Sequence, residues 1–298
     1  MEKDLAQEGN IHIPVMMSEV LKALALKPGD FVIDGTFGGG GHSSEIAKSI
    51  APKGILLAID RDPSAIKKAN ISSEEIKIVL ANANFTDIPD ILADKNLPKA
   101  DSLLLDLGFS SNQLSGDRGF SFIEDEPLLM TYSDETEPLY KVLPSLSKKK
   151  IKEIIAITGE RYAGRIAEAI WKAERKRPIG TTGELVEVIR SAVPLNYERG
   201  RIHPATRTFL AFRIYINNEL EGLDQVISSL PQILKPNGKV AIITFQSLED
   251  RIVKNKFKEM AREGVINILN KKPLTPSLSE IKNNPRARSA KLRSATMN

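Results

Sequence analysis

Two acids and a run of glycines stand at spacings that suit an adenosine-bearing ligand. Asp34-Gly35-Thr36-Phe37-Gly38-Gly39-Gly40-Gly41 follows the apolar run FVID and precedes the helical pattern HSSEIAKSI. Glycines let the chain turn sharply and bring backbone N–H groups to a ligand with no Cβ in the way. Asp60 ends the next apolar run, ILLAID, 19 residues beyond Gly41. At that spacing an acid takes the two hydroxyls of an adenosine ribose. The pair fits a dinucleotide or S-adenosylmethionine.

Two features separate these ligands. A dinucleotide site uses G-x-G-x-x-G, with the pyrophosphate at a helix N-terminus. Here the acid Asp34 directly precedes the first glycine. It would repel a pyrophosphate and attract the ammonium of a methionine moiety. The second feature is LKPNGK (234–239) leading into VAIITF. This helix–KPxG–strand junction resembles the late part of the sheet in class I methyltransferases, although Pro and Gly also end helices elsewhere. Together the two favour S-adenosylmethionine.

A third constellation is Asp106-Leu107-Gly108-Phe109-Ser110-Ser111-Asn112-Gln113, which ends the run DSLLLDLG. Open α/β sheets bind ligands beyond the carboxyl ends of their strands, so this segment is expected to face the donor. An acid three residues before an aromatic loosely resembles the D-P-P-Y motif of exocyclic-amine methyltransferases, without its prolines. Asp106 and Phe109 are therefore catalytic candidates, and Phe109 is equally readable as an ordinary apolar residue. The chain has no cysteine. That excludes disulfides, thiolate-held clusters and the thiolate addition required for C5 methylation of pyrimidines. With three histidines (His12, His42 and His203), no multi-histidine metal site is expected. Direct displacement onto nitrogen or oxygen remains.

These residues need a scaffold, and the pattern supplies one. Short apolar runs at 31–34, 55–60, 76–82 and 101–108 alternate with helical patterns at 42–50, 62–70 and 87–95. Such alternation predicts βαβ units and a mostly parallel, Rossmann-like sheet. After 109 the alternation stops. Residues 109–138 read as loop and 139–195 as helices, with Ser147 and Thr181/Thr182 at helix starts. The α/β pattern returns with helices over 205–234, a turn at 235–239, a strand at 240–245, a helix from Ser247, and strands near 265–270 and 289–295. The expected organisation is a discontinuous α/β domain (1–112 and 203–298) interrupted by a helical insertion (113–202).

Hydrophobic residues make up 41% and charged residues 27% of the 298, as in soluble globular chains. No apolar run approaches the roughly 20 residues of a membrane span. The N-terminus lacks the apolar centre of a secretory signal, and a cytoplasmic protein is expected. Net charge is +4, yet residues 235–298 hold 14 Lys and Arg against 5 acids. A basic tail suits a polyanion, most simply nucleic acid, or serves as a solvated tail.

The blocks HIPVM, DGTFGGGGHS, AIDRDP, LLDLGFSS, RGFSF, GERYAGRIA, HPATRTF, FRIYINNEL, SLEDRIVK and NPRARSAKLR run in an order that resembles the bacterial MraW family. These are the 16S ribosomal RNA cytosine N4-methyltransferases, and the likeness extends from about His12 to Arg293. It implies a class I methyltransferase domain with a helical substrate-recognition insertion and S-adenosylmethionine as donor. The implied substrate is a cytosine near the peptidyl-tRNA site of the small subunit; a homodimer is compatible with it. Carried over by motif, Gly40, Gly41 and His42 hold the donor, Asp60 its ribose, Phe85 its adenine, and Asp106 and Gln113 complete the site. His203 is placed on the catalytic face, or else hydrogen-bonds at the domain junction. Arg161, Arg165, Arg207, Arg286, Arg288, Lys291 and Arg293 become candidates for RNA phosphates; those on the amphipathic helix also read as a solvated face.

Three positions depart from the family pattern. Leu129 and Thr131 stand where PLDMRMD has an acid and an arginine, and Gln246 stands where FHSLEDR has a histidine. These segments are expected to line the RNA side, so the departures bear on target choice rather than on donor binding. Methylation of another RNA or DNA amine, and a non-catalytic ribosome-assembly role, are the competing readings.

Overall fold

Strand formation here follows from side chains that alternate between two apolar faces. In FVID, Phe31 and Ile33 point into one core and Val32 into another. Leu57 and Ile59 against Leu56 and Ala58 repeat the division, as do Val240 and Ile242 against Ala241 and Ile243. A strand buried on both faces reads as a continuous apolar run, the mark of a central parallel strand. Burying each Leu or Ile contributes about 1.5–3 kcal/mol relative to exposure.

The structure is a computed structural model that describes residues 14–108, 118–197 and 203–298. The chain divides into two compact units, one formed by residues up to Ser110 and from Leu223 onward, the other by Ser111–Gly222. In the first unit α1 is Met17–Leu24, β1 Phe31–Asp34, α2 Gly41–Ile50, β2 Ile55–Asp60, α3 Pro63–Lys67, β3 Lys77–Asn82, α4 Ile88–Asp94 and β4 Ala100–Asp106. The second unit holds α5 Leu139–Val142, α6 Lys148–Ala156, α7 Ala163–Lys176, α8 Thr182–Ala192 and α9 Thr206–Ile216. The division falls inside α10, Glu219–Ser228, and the first unit resumes with α11 Leu230–Ile233, β5 Leu234–Thr244, α12 Ser247–Arg262, β6 Ile266–Ile268, α13 Leu278–Asn283 and β7 Lys291–Met297.

The sheet order is β3-β2-β1-β4-β5-β7-β6. Strands β1 to β5 pair in parallel, and β7 runs antiparallel between β5 and β6. This is the expected class I methyltransferase sheet. Helices α4, α10, α11 and α12 cover one face and α1 and α2 the other. The chain turns back between β1 and β4, and the carboxyl ends on either side of that switch point carry Asp34 and Asp106.

Two expectations differ from the structure. The turn expected at 235–239 lies within β5: the register jumps from Ala100↔Leu234 to Ser102↔Lys239, so 235–238 form a bulge with Asn237 at φ 63°. The expected return of the α/β domain at 203 also differs from the observed division after Gly222. Phe209, Phe212 and Ile216 of α9 pack with Ile151, Ile166 and Leu185 in the helical core.

β7 also tests a charge assignment. Arg293 lies in its middle, 8% exposed, and its Nε donates to Asp250 of α12 at 2.7 Å. Lys291 Nζ is 3.3 Å from the same carboxylate. Both basic residues were expected to face RNA, but Arg293 is spent inside the fold on Asp250. Burial alone would raise the Asp250 carboxyl; the hydrogen bonds and charges of Arg293 and Lys291 outweigh it and hold it below the ordinary carboxylate value. Removing the acid leaves a buried cation unpaired, so Asp250→Asn is expected to destabilise the protein by about 3 kcal/mol at neutral pH, read by urea unfolding. Because the folded value is depressed, this stabilisation is present above the unfolded carboxylate value. It disappears as pH falls through the folded one, so the gap between wild type and variant closes below about pH 4.

Candidate active site

The site is built from three strand ends. Asp34, Asp60 and Asp106 are the last residues of β1, β2 and β4. Parallel pairing puts all three on the carboxyl edge of the sheet, close enough for Asp34 to feel the charge of Asp106 and Asp60 that of Asp34.

Each acid is held by its own neighbours. Asp34 is fully buried; one oxygen accepts from the Ser43 hydroxyl at 2.7 Å, the other from the Thr36 N–H at 3.1 Å. Burial pushes its carboxyl up, against the opposing effects of Ser43, the nearby His42 and the Thr36 N–H, with Asp106 adding to the rise. Asp60, 8% exposed, accepts the Gly38 N–H at 2.7 Å and the Asp62 N–H at 2.8 Å. Burial is again the largest influence and pushes it up to about 6. Asp106 retains 13% side-chain exposure, and its own N–H donates to the Thr36 hydroxyl at 2.6 Å.

The glycine loop supplies the turn that these contacts require. Gly38 and Gly40 have φ of 53° and 77°, in the left-handed region open to glycine. A Cβ on Gly40 would lie 2.8 Å from the Phe37 ring, and one on Gly41 2.4 Å from Pro14. The loop therefore packs tightly on itself and on the chain entering α1. His42, 7% exposed, opens α2, with Nε2 3.0 Å from the Val15 carbonyl. A proton donated there leaves Nδ1 as the ring atom facing Asp106 Oδ2, at 3.6 Å. His42 is thus a link between the chain before α1 and the acid of β4, not a surface cap.

Phe85 follows β3 in a short 3-10 turn, half-buried, with its Cβ 3.3 Å from where a Gly35 side chain would begin. It lies on the same sheet edge as Asp60. Phe109 and Gln113 lie outside the described residues. Sequence reasoning missed Thr36 and Ser43, which clamp Asp106 and Asp34, and Phe245, whose ring lies 2.8 Å from where a Cβ on Gly108 would sit. Nothing in their types marks them; they are recognisable only once β1, α2, β4 and β5 are placed together. Gln246 follows Phe245 at the N-cap position of α12, its backbone N–H donating to Glu249 Oε2 at 3.2 Å, so this departure remains beside the site. Thr131 is 3% exposed in the helical unit and sits inside it rather than on a surface.

Four of the remaining candidates, His203, Arg161, Arg165 and Arg207, stand in the helical unit. His203 stacks on Phe122 at 4.6 Å, and the Arg190 guanidinium donates to its Nε2 at 2.9 Å. Burial, and after it the Arg190 charge, pushes its imidazole down from the ordinary value. Arg161 and Arg165 are exposed on the approach to and first turn of α7, whereas Arg207 donates to the Tyr197 hydroxyl at 2.9 Å and lies 3.7 Å from the buried Glu160. In the first unit, Arg286 and Arg288 are exposed on the short turn before β7.

The donor set fits a cationic adenosine ligand. Each Asp60 oxygen accepts one backbone N–H and keeps lone-pair capacity for ribose hydroxyls. Asp34 and Asp106 bring negative charge to the other side of the glycine turn, where a pyrophosphate would be repelled and an ammonium or sulfonium attracted.

The model of the MraW methylase family matches residues 9–298. Ribosomal RNA small subunit methyltransferase H of Acetivibrio thermocellus is 43% identical over 306 residues, covering 95% of this chain and 97% of the relative. The protein of that name from Clostridioides difficile is 40% identical over 304 residues, covering 95% and 98%. That from Symbiobacterium thermophilum is 40% identical over 303 residues, covering 95% of each.

The raised Asp60 carboxyl generates a pH prediction. Only the ionised acid accepts both ribose hydroxyls, and with a value of about 6 it becomes neutral below that pH. Calorimetric affinity for S-adenosylmethionine is expected to be level above pH 7 and to fall by up to about tenfold per pH unit below 6. Asp60→Asn should bind at least about tenfold more weakly and show no such fall. A wild-type profile that tracks the variant's would contradict the assignment.

Proposed function

We propose, from the premise that this chain belongs to the MraW methylase family, that it methylates the exocyclic N4 of one cytosine in 16S rRNA. S-adenosylmethionine is the donor and the small ribosomal subunit, in the cytoplasm, is the substrate. The chain is an S-adenosylmethionine-dependent methyltransferase. Among the described residues no helix is long and apolar enough to cross a membrane.

The observation that carries this reading is the placement of Asp106: at the β4 end of the switch point, partly open, its backbone N–H held by the Thr36 hydroxyl and its carboxylate beside the His42 ring. When bound, S-adenosylmethionine supplies an electrophilic methyl group on a positive sulfur. Asp60 receives the ribose and Phe85 lines the adenine. Asp34 and Asp106 offset the positive charge. Asp106 also accepts a hydrogen from the N4 amine, which turns the nitrogen lone pair toward the methyl carbon. With the donor bound, exchange of the C–S bond for an N–C bond would make the N4 proton acidic, and Asp106, already accepting it, would hold that proton until it passes to solvent. No strong base is then required, and positioning supplies much of the rate. His203 has no step in this account, because its Nε2 accepts from Arg190. The absence of cysteine supports nitrogen over pyrimidine C5. The helical unit is assigned to RNA.

The test is transfer of labelled methyl from donor to small subunits that lack the modification. Wild type should incorporate label into the RNA. Asp106→Asn should lower kcat by about 100-fold or more, well beyond its loss of donor affinity. Donor binding without incorporation by wild type, or an Asp106→Asn rate near wild type, would overturn the proposal.

A further inference from the structure

The helical unit contains an arginine–tyrosine cluster organised around one buried acid. Glu160 has a fully buried side chain. The Tyr197 hydroxyl lies 2.8 and 2.9 Å from its two oxygens, and the Tyr162 N–H donates to it at 2.7 Å. Arg207, tied to the Tyr197 hydroxyl and 3.7 Å from Glu160, is the cation that answers this buried charge. The rings of Tyr162 and Tyr197 meet edge to face at 4.8 Å.

Two further arginines lie against this pair. The Arg161 guanidinium is 5.0 Å from the Tyr162 ring centre and 5.5 Å from that of Tyr197; Arg165 is 5.6 Å from Tyr162. Both are exposed, and among the described residues neither forms an ion pair. The first turn of α7 carries no acid. Gly164 stands between them, and a Cβ there would meet only Lys152 Cε, at 3.9 Å, so a third exposed cation from α6 borders the same spot. Three exposed cations side by side, none in an ion pair among the described residues while Glu160 is matched by Arg207, repel one another, a cost that a polyanion would relieve. Stacking on aromatic faces orients a guanidinium and reduces the freedom lost when its N–H fork meets an anion. Arginine matches phosphate oxygens in a bidentate fashion that lysine does not.

We propose that Arg161 and Arg165, mounted on Tyr162 and Tyr197 and bordered by Lys152, form a contact surface for RNA backbone phosphates, with Glu160 and Arg207 as the internal brace that positions it. This rests on the reading above that the substrate is RNA. It assigns the cluster's arginines to two separate jobs: Arg161 and Arg165 face the nucleic acid, and Arg207 faces the fold.

The test compares binding to small ribosomal subunits for wild type, Arg161→Ala/Arg165→Ala, Arg161→Lys/Arg165→Lys, and a charge-matched control, Lys254→Ala/Lys258→Ala, on the exposed side of α12. Affinities are measured from low to high salt, with donor affinity as a check that each protein is folded. The alanine pair should bind about tenfold or more weakly, and its slope of log affinity against log salt should shrink by about 0.7–0.9 per phosphate lost. The lysine pair should keep the slope and still lose affinity, because charge remains and the fork does not. The control should lose less than the alanine pair in both. An alanine pair that binds like wild type, or no worse than the control, overturns the surface. If wild type still incorporates methyl in that case, the functional reading stands alone; if wild type neither binds nor methylates RNA, both fall.

Discussion

Three carboxylates on one sheet edge repel one another, and the structure around them is what makes the arrangement tolerable. Asp34 and Asp60 are buried, and burial raises both. Isolated buried anions are costly unless hydrogen bonds receive them. Here the donors are local: Ser43 and the Thr36 N–H for Asp34, the Gly38 and Asp62 N–H groups for Asp60. The glycine loop is bent into left-handed conformations at Gly38 and Gly40, and the Gly38 N–H reaches Asp60 from that bend. On the proposed reading, the residual negative charge selects a cationic ligand. Donor selectivity, loop conformation and strand order thus express one electrostatic constraint.

Much of this was legible in the sequence because the signals were local. The strands β1 and β2 emerge from continuous apolar runs at the observed bounds, since a strand buried on both faces admits few polar residues. The acids were legible because each ends such a run. Contacts between distant segments were not. Thr36 under Asp106 and His42 between Val15 and Asp106 depend on how α2 and β4 are packed, which no spacing records. The bulge at 235–238 reads as a turn because Pro, Asn and Gly are turn residues, yet the strand continues past it.

The basic residues show the same limit more sharply. Net charge in the last 64 residues pointed to a polyanion, but charge does not reveal direction. Arg293 alternates inward on β7 and is matched by Asp250. Arg207 turns to Glu160, while Arg161 and Arg165 lie on tyrosine faces. Four residues of identical type therefore divide between two matched by an acid of the fold and two held on exposed tyrosine faces. The difference is whether an acid lies within reach. Likewise α9 joins the helical core through Phe209, Phe212 and Ile216, although its position after His203 suggested the α/β domain.

The measurement that bears most directly on the account is identification of the methylated nucleoside. Small subunits lacking the modification would be incubated with the protein and S-adenosylmethionine, their RNA digested, and the product placed by mass spectrometry. N4-methylcytidine at a single position is the predicted result. A methyl group on carbon, on another base, or nowhere at all would contradict it.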